Sequence, residues 1–445
     1  MEINPDIFKA YDIRGTYPDE VNEEVAEQIG RAFVVYTKAQ KVIVGRDIRV
    51  SGPKLRESLI KGITEQGASV LDIGLVSTDM FYFACGSKGF PGINITASHN
   101  PKEYNGFKLV ERMPDLVSGD KIKKAALDGN FPKSGATGSV QDIDFKNEYQ
   151  KKILSLIDIS KIPTNLRVVV DPANGMGGMA TDLVYKDLPV EIIKMFYEPD
   201  GEFPNHGGDP LKEENRKDLE ARVKKEKADL GFAIDTDADR FFAVDASGRY
   251  VPSDYLGALF SQYLIEKHGG GSIVHDVIIG WAVRDLVKVA GGSTNASRVG
   301  HVFIKSEMKK SKAVFGLEKS GHYYLPNFYF AETAVGMSLL LLEMLGHYNK
   351  TLEELVEPLR NKYFMIEQEN TEVKDPDETI ANIKEYYSKD FETDEMDGVS
   401  IIADNWHANV RKSNTEPVVR LNVEALDDKK LMEEKRDELL DLIQK

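Results

Sequence analysis

The chain carries a single cysteine, Cys85, which excludes an intrachain disulfide and any multi-cysteine zinc site and suits a reducing compartment. Long apolar runs are missing. The longest, near residues 337–345, is about half a membrane span, and residues 1–10 hold acids and Pro5 where a signal peptide needs an apolar core. No Walker A string and no low-complexity segment occur. Positive charge is also short, with 57 Lys and Arg against 73 Asp and Glu, a formal charge of −16 spread along the sequence. Such a surface repels phosphate backbones, so no nucleic-acid partner is expected. No membrane partner is expected either, and the expected location is the cytoplasm. With 41% hydrophobic and 29% charged residues the chain has the composition of a globular protein, not of a disordered or collagen-like one. Its 445 residues suggest about three domains, or four if some are small.

Three stretches share one pattern: an apolar run, a turn rich in Gly, Asp or Pro, a helical pattern and a second apolar run. The first opens with KVIVGRDIRVSGP at residues 41–53, the second with LRVVVDPANGMGG at 166–178 and the third with SIVHDVIIG at 272–280. Strand, helix and strand in this order predict right-handed crossovers and mainly parallel sheets covered by helices. A polar, turn-rich stretch at 128–141 and an amphipathic helix over 145–157 set a first boundary near residue 145. The Asp245 to Gly248 turn and Pro252 set a second, and the acidic stretch 367–377, ahead of a helix over 378–388, a third. The remainder alternates like an antiparallel sheet and ends in a charged amphipathic helix. The expected domains are 1–145, 146–250, 251–365 and 366–445.

The sharpest chemical signal is ADLGFAIDTDADRFFAV, where Asp235, Asp237 and Asp239 alternate between two apolar runs and Arg240 follows. Three carboxylates in five residues repel one another unless a cation gathers them, and a strand leading into a loop can wrap them around a hard ion such as magnesium. An EF-hand is excluded, because its sixth position needs Gly and holds Arg240 while its twelfth needs Glu and holds Ala246. Aspartyl-phosphate chemistry with Asp235 or Asp237 as nucleophile stays open, as does a solvated acidic turn. In PGINITASHNPKEYNGFKLV, Ser98 lies on a loop tip where a hydroxyl is presented. Neighbours in sequence do not generally face each other, so His99 is poorly placed as its base, and a hydrolase triad is disfavoured. A turn whose side chains bond their own backbone is the plainer alternative. RKSNTEP at 411–417 combines Arg411, Ser413, Asn414 and Thr415 into a phosphate cradle or an ordinary surface loop. GLEKSGHYYL puts Glu318, Ser320 and His322 on one turn suited either to vicinal hydroxyls or to helix capping. Gly175, Gly177 and Ala180 mimic a dinucleotide fingerprint, but Asp171, Pro172, Ala173 and Asn174 make the turn too long for it.

Taken in order, FKAYDIRG, GRDIRVSG, TASHNP, NGFK, DPANGMGG, FPNHGGDP, DTDADR, GHVFIK, EKSGH and RKSNTEP resemble the α-D-phosphohexomutase superfamily, most closely its phosphomannomutase/phosphoglucomutase members. The resemblance covers the whole chain. It implies a four-domain architecture around a central cleft, three related α/β domains with mixed sheets plus a smaller α+β C-terminal domain. The first domain would carry the phosphoserine loop, the second the metal loop, the third the sugar loop and the fourth a phosphate-binding loop. By the same resemblance Ser98 matches the serine that carries a phosphoryl group and completes a magnesium site with Asp235, Asp237 and Asp239. Arg14, Lys108 and Arg240 match basic residues near the transferred group, with Lys108 a candidate for moving the sugar hydroxyl's proton. Glu318 and Ser320 match sugar-hydroxyl binders, Arg411, Ser413, Asn414 and Thr415 match binders of the other phosphate, and His301 and His99 join the site. Two departures bear on sugar preference. Ile278 stands where the family frequently has a lysine after Asp276 and Val277, and Gly316, Leu317 and Lys319 surround Glu318 where the family usually has a glycine pair before it and a variable residue after it.

The implied activity is interconversion of hexose 1-phosphate and 6-phosphate, for mannose and glucose, through a phosphoserine and a hexose 1,6-bisphosphate, by an isomerase acting as a monomer or homodimer on small-molecule hexose phosphates. Such phosphoryl transfer needs mostly alignment and charge neutralisation from the protein. The rivals are a phosphoglucosamine mutase, a catalytically silent sugar-phosphate-binding protein and a phosphatase.

Overall fold

Residues 3–9, 11–413 and 418–444 are described by a computed structural model. It divides into two compact units, Met1–Tyr250 with Ser320–Asn349, and Val251–Lys319 with Lys350–Lys445.

In the first unit a six-stranded sheet is built from β1 (Ile13–Thr16), β2 (Lys41–Arg46), β3 (Ser69–Leu75), β4 (Gly92–Ile95), β5 (Tyr104–Val110) and β6 (Val140–Asp142), in the order β1-β5-β4-β2-β3-β6. Strands β4, β2, β3 and β6 run parallel, while β5 returns antiparallel to β4 and β1 antiparallel to β5. The apolar residues of β2 are buried on both faces, as a central parallel strand covered by helices requires. One face is covered by the helices Glu23–Thr37, capped by Asn22, and Gly52–Glu65, whose inward residues Ile29, Phe33, Leu55 and Leu59 pack with Val42, Val44 and Ile93 in one core.

The second sheet repeats the plan with β7 (Leu166–Asp171), β8 (Val190–Lys194), β9 (Leu230–Ile234), β10 (Phe241–Val244) and the two-residue β11 (Tyr250–Val251), where the chain passes from one unit to the other. Strands β8, β7 and β9 are parallel and β10 returns antiparallel to β9. The amphipathic pattern over 145–157 forms the helix Lys146–Leu154 and stops there, because Asp158 caps the N–H of Ser160 and starts a separate short turn.

In the second unit β12 (Ser272–Asp276) pairs in parallel with β13 (Ser293–Ser297) and β14 (Phe315–Leu317), the third use of the plan. The chain then re-enters the first unit, where β15 (Tyr323–Leu325) and β16 (Ala331–Glu332) form an antiparallel pair. Its last part is an antiparallel sheet of β17 (Tyr363–Met365), β18 (Glu369–Glu372), β19 (Glu392–Asp394), β20 (Val399–Ile402), β21 (Trp406–Lys412) and β22 (Val418–Leu426), with the helices Pro376–Tyr387 and Lys429–Ile443 on its core. The first of these helices begins two residues before the sequence expectation, since Asp375 accepts from the N–H groups of Asp377 and Glu378 and Pro376 fits the first helical position. Among the described residues no helix is long and apolar enough to cross a membrane.

This plan locates the chemistry. In the first two repeats the loop leaving the last parallel strand, after β4 and after β9, carries the polar motif before the chain turns back antiparallel. Ligand loops of open α/β sheets gather at such carboxyl ends.

Candidate active site

Within the first unit the loop after β4 meets the loop after β9. Ser98, only 3% exposed, is not an outward loop tip but a buried one, with a left-handed φ of 47°. Its N–H donates to Thr96 Oγ1 at 2.9 Å and its carbonyl accepts from Thr236 Oγ1 at 2.5 Å, so both sides of the turn are tied down. Its hydroxyl lies 3.1 Å from Asp235 Oδ2. The folded turn also brings His99 Nδ1 to 3.3 Å from Ser98 Oγ, so the two neighbours do face each other, contrary to the expectation from sequence. Burial, and then the charges of Arg240 and Arg14, hold the His99 imidazole well below its ordinary pKa, and it is neutral near pH 7.

Asp235, Asp237 and Asp239 are buried, with oxygens within 4.8 Å of one another. Asp235 Oδ1 accepts from the N–H groups of Asp239 and Arg240, each at 3.1 Å, which winds the loop around its first carboxylate. Two cations are embedded among the three anions. Lys108 Nζ lies 2.7 Å from Asp237 Oδ2 and also bonds Asp239, and Arg240 Nε lies 3.0 Å from Asp235 Oδ2 with Nη1 3.1 Å from Asp209 Oδ1. Burial alone would lower the Lys108 amine, but the Asp237 and Asp239 carboxylates prevail and raise it, so in this arrangement it is a held ammonium. Asp239 is correspondingly held well below the usual carboxylate range by Lys108 and His322 against its own burial. Burial with repulsion from Asp239 pushes Asp235 up to about 7, against the opposing pull of Arg240.

The residues fit a hard divalent cation. Among the described residues Asp237 Oδ1 is a buried oxygen without a hydrogen-bond partner and Asp239 Oδ1 meets only the long 3.5 Å contact of His322, an arrangement that normally costs free energy and that a cation would relieve. All the candidate donors are oxygens, and the Ser98 hydroxyl stands beside them. The acidic cluster can therefore hold a metal ion.

Other expected site residues join this cluster. Arg14 is fixed by Asp12 at 2.6 Å and donates to Asn100 Oδ1 at 2.5 Å, next to the Ser98 turn. Ser320 Oγ lies 2.8 Å from His322 Nδ1, and His322 Nε2 lies 3.5 Å from Asp239 Oδ1, which ties the turn at residues 320–322 to the acidic loop. The remaining expected residues belong to the second unit. Glu318 is buried and accepts from the Gly300 N–H at 2.7 Å, beside His301 at the first position of the helix His301–Ser311. Lys319 does not extend freely, because its amine contacts both Asp254 oxygens at 3.1 Å while its N–H donates to Asp276 Oδ2 at 2.9 Å. Burial and the nearby Glu318 push Asp276 up to about 7, and Ile278 is buried beyond it. Arg411, one residue before the end of β21, is a buried side chain whose Nε has no hydrogen-bond partner among the described residues, and the Ser413 N–H donates to the Val418 carbonyl. Asn414 and Thr415 lie outside the described residues.

Sequence reasoning passed over Thr78, Thr236 and Asp209. Thr78 holds Asp237 twice, by its hydroxyl to Oδ2 at 2.6 Å and its N–H to the Asp237 carbonyl at 2.8 Å. Nothing flagged it, because it opens a helix whose first eight residues are all buried. The dinucleotide-like glycines prove to be packing devices. A Cβ at Gly175 would stand 2.3 Å from the Thr236 carbonyl oxygen, and the neighbouring Met176 N–H donates to that same oxygen at 2.8 Å. Gly175→Ala is therefore expected to lower stability by roughly 1–3 kcal/mol and to reduce metal affinity by shifting the loop; denaturant unfolding and calorimetric metal titration check both, and an unchanged metal affinity would separate Gly175 from the site.

Comparison with known proteins extends this along the chain. Four family models match in order: phosphoglucomutase/phosphomannomutase alpha/beta/alpha domain I over residues 5–126, domain II over 147–248, domain III over 252–363, and the C-terminal domain over 369–442. A phosphomannomutase of Escherichia coli strain K12 is 37% identical with 98% of each chain covered, and phosphohexose mutases of Xanthomonas campestris pv. campestris show the same identity and coverage. A crystal structure of a phosphoglucomutase/phosphomannomutase family protein from Burkholderia thailandensis superposes with a TM-score of 0.90 at 31% identity, covering 99% of this chain and 97% of that one. Parafusin, a phosphoglucomutase from Paramecium, shares the fold at a TM-score of 0.81 with 17% identity, covering 100% and 95% of the two chains. With all four of its domains matched in order, the chain belongs to the phosphoglucomutase/phosphomannomutase family of isomerases.

Proposed function

We propose that the chain is a phosphohexomutase that interconverts the 1-phosphate and 6-phosphate of mannose and glucose through a phosphoryl group carried on Ser98. The observation that carries this reading is the buried Ser98 hydroxyl 3.1 Å from Asp235 in a cluster of three carboxylates and two cations. In the forward half-reaction the bond from phosphorus to Ser98 Oγ breaks as a sugar hydroxyl oxygen bonds to phosphorus, and the hydroxyl's proton ends on Ser98 Oγ. The product is a hexose 1,6-bisphosphate. After it turns end for end, the reverse exchange at its other phosphate restores phosphoserine and releases the isomer.

Asp235, Asp237 and Asp239, with an oxygen of the group on Ser98, would hold magnesium. When bound it neutralises charge on the phosphoryl group. Lys108 and Arg240 add fixed positive charge on the same side, and Arg14 stands over the Ser98 turn through Asn100. Glu318 and Ser320, with His301, would bind the sugar hydroxyls, and Arg411 and Ser413, with Asn414 and Thr415, the phosphate not being transferred. His99, a neutral imidazole, would fill the space beside Ser98 Oγ without adding charge. The enzyme is read as a cytoplasmic monomer or homodimer.

The test is turnover of mannose, glucose and glucosamine 1-phosphates with a trace of hexose 1,6-bisphosphate, together with the intact mass of gently purified protein. Specificity constants for mannose and glucose should exceed that for glucosamine by at least about tenfold, or about 1.4 kcal/mol, and part of the population should carry one phosphate. Metal binding with no turnover of any hexose phosphate would leave a silent binder instead.

A further inference from the structure

Two motifs, GRDIRVSG and FPNHGGDP, have no role in the cycle described above, yet the structure stacks them beneath Ser98. Arg49, from the first, is a charged side chain with 0% exposure. Its guanidinium reaches no substrate-facing group. It donates instead to four carbonyls of the phosphoserine loop, with Nη1 2.7 Å from the Pro101 oxygen and 2.8 Å from that of Tyr104, and Nη2 2.6 Å from the oxygens of Ser98 and Asn100. Asp47 orients it from below, accepting the Arg49 N–H at 2.9 Å on Oδ1 and pairing with Nε at 3.3 Å on Oδ2. The Phe203 ring of the second motif lies 5.2 Å from the guanidinium carbon. Gly201 lets this second strand of chain approach, since a Cβ there would meet the Ile48 carbonyl oxygen at 2.6 Å.

We infer that Arg49, oriented by Asp47, is a positioning residue that sets the direction of the Ser98 hydroxyl toward Asp235; this rests on the reading of Ser98 as the phosphoryl carrier. The physical case has three parts. Ser98 occupies a left-handed turn that its own residue type does not favour, so something outside the turn must maintain it. The loop carbonyls converge on one planar guanidinium, whose four terminal N–H bonds reach them all at once, that of Pro101 also accepting the Tyr104 N–H at 3.1 Å. The Ser98 carbonyl takes a second donor from Thr236 of the metal loop, so the same atom that Arg49 holds also registers the two loops against each other. Lysine, a point donor with three N–H bonds, cannot span this set. A misplacement of about 1 Å at a reacting group can cost about 100-fold in rate.

The experiment compares wild type, Arg49→Lys and Asp47→Asn in full-length enzyme. The readouts are kcat per folded molecule, KM for mannose 1-phosphate and mass-detected phosphorylation of Ser98 by hexose 1,6-bisphosphate. Arg49→Lys should lose about 100-fold in kcat, with KM within about threefold and slowed Ser98 phosphorylation. Asp47→Asn, which keeps the shape and loosens the arginine, should lose about tenfold in kcat with the same unchanged KM. A folded Arg49→Lys enzyme with wild-type kcat overturns the inference, because a merely structural arginine changes the folded fraction and not the rate per folded molecule. If the lysine variant does not fold, wild-type kcat in Asp47→Asn overturns it instead. Failure of the underlying reading looks different, for then wild-type enzyme itself takes no phosphate on Ser98.

Discussion

Ser98→Ala is expected to fold, to carry no phosphate and to lose mutase turnover by at least about 10⁴-fold, equivalent to about 5.4 kcal/mol of barrier. The loss is large because the hydroxyl is the only proposed carrier between the two sugar positions, and no neighbouring group can replace it without moving the loop. Folding survives because the turn is held through its backbone: the Ser98 N–H by Thr96, and its carbonyl by Thr236 and Arg49. Removing Oγ deletes its 3.1 Å contact to Asp235, which keeps its bonds from Arg240, and its 3.3 Å contact to His99 Nδ1. One such hydrogen bond contributes about 0.5–1.5 kcal/mol net, so the melting temperature should drop only slightly. Chromatographic detection of hexose 6-phosphate, paired with intact mass, decides the matter. Normal isomerisation by the alanine variant would transfer the nucleophile to Asp235 or Asp237 and end the phosphoserine reading.

The second large effect concerns the metal. Chelation should bring wild-type turnover below about 1%, and added magnesium should restore it, whereas Asp237→Asn should be inactive at any magnesium concentration and bind magnesium at least about 100-fold more weakly, about 2.8 kcal/mol. The charge balance gives the reason. Three carboxylates face Lys108 and Arg240, leaving one negative charge and two buried oxygens, Asp237 Oδ1 without a hydrogen-bond partner among the described residues and Asp239 Oδ1 with only His322 at 3.5 Å. An amide at position 237 removes that charge and one of those oxygens together, so the cluster becomes neutral without a cation. Calorimetric titration with magnesium reads this without reference to activity. Wild-type magnesium affinity in Asp237→Asn would show that the cation sits elsewhere.

Much of this was visible in residue order. The three repeats follow from apolar runs long enough for buried strands, separated by helical spacing, and Asp235, Asp237 and Asp239 stand out because like charges rarely crowd a strand end without purpose. The antiparallel return of β5 and β10 was harder to see, since their residues Phe107 and Leu109, and Phe241 to Val244, are as buried as those of parallel strands. Lys108 was legible as a basic residue near the transferred group but not as an ammonium held between two carboxylates, because its partners lie 129 and 131 residues away. Arg49 read as part of a charged turn, and only its complete burial against four loop carbonyls gives it a task.

By itself, the sequence determined which chemical groups the chain owns and where each stands relative to its own strand: a hydroxyl in the turn after β4, carboxylates in the turn after β9, and a fork of N–H donors after β2. Those are local matters, set by side-chain type, strand period and turn chemistry. Tertiary structure alone decided that Ser98 and Asp235, 137 residues apart, share a hydrogen bond, and that Thr78, Thr236 and Arg49 hold the two loops in register. Spacing along a chain carries no information about such meetings; they exist because parallel crossovers bring the carboxyl ends of separate strands to one place, where close packing fixes which polar groups meet.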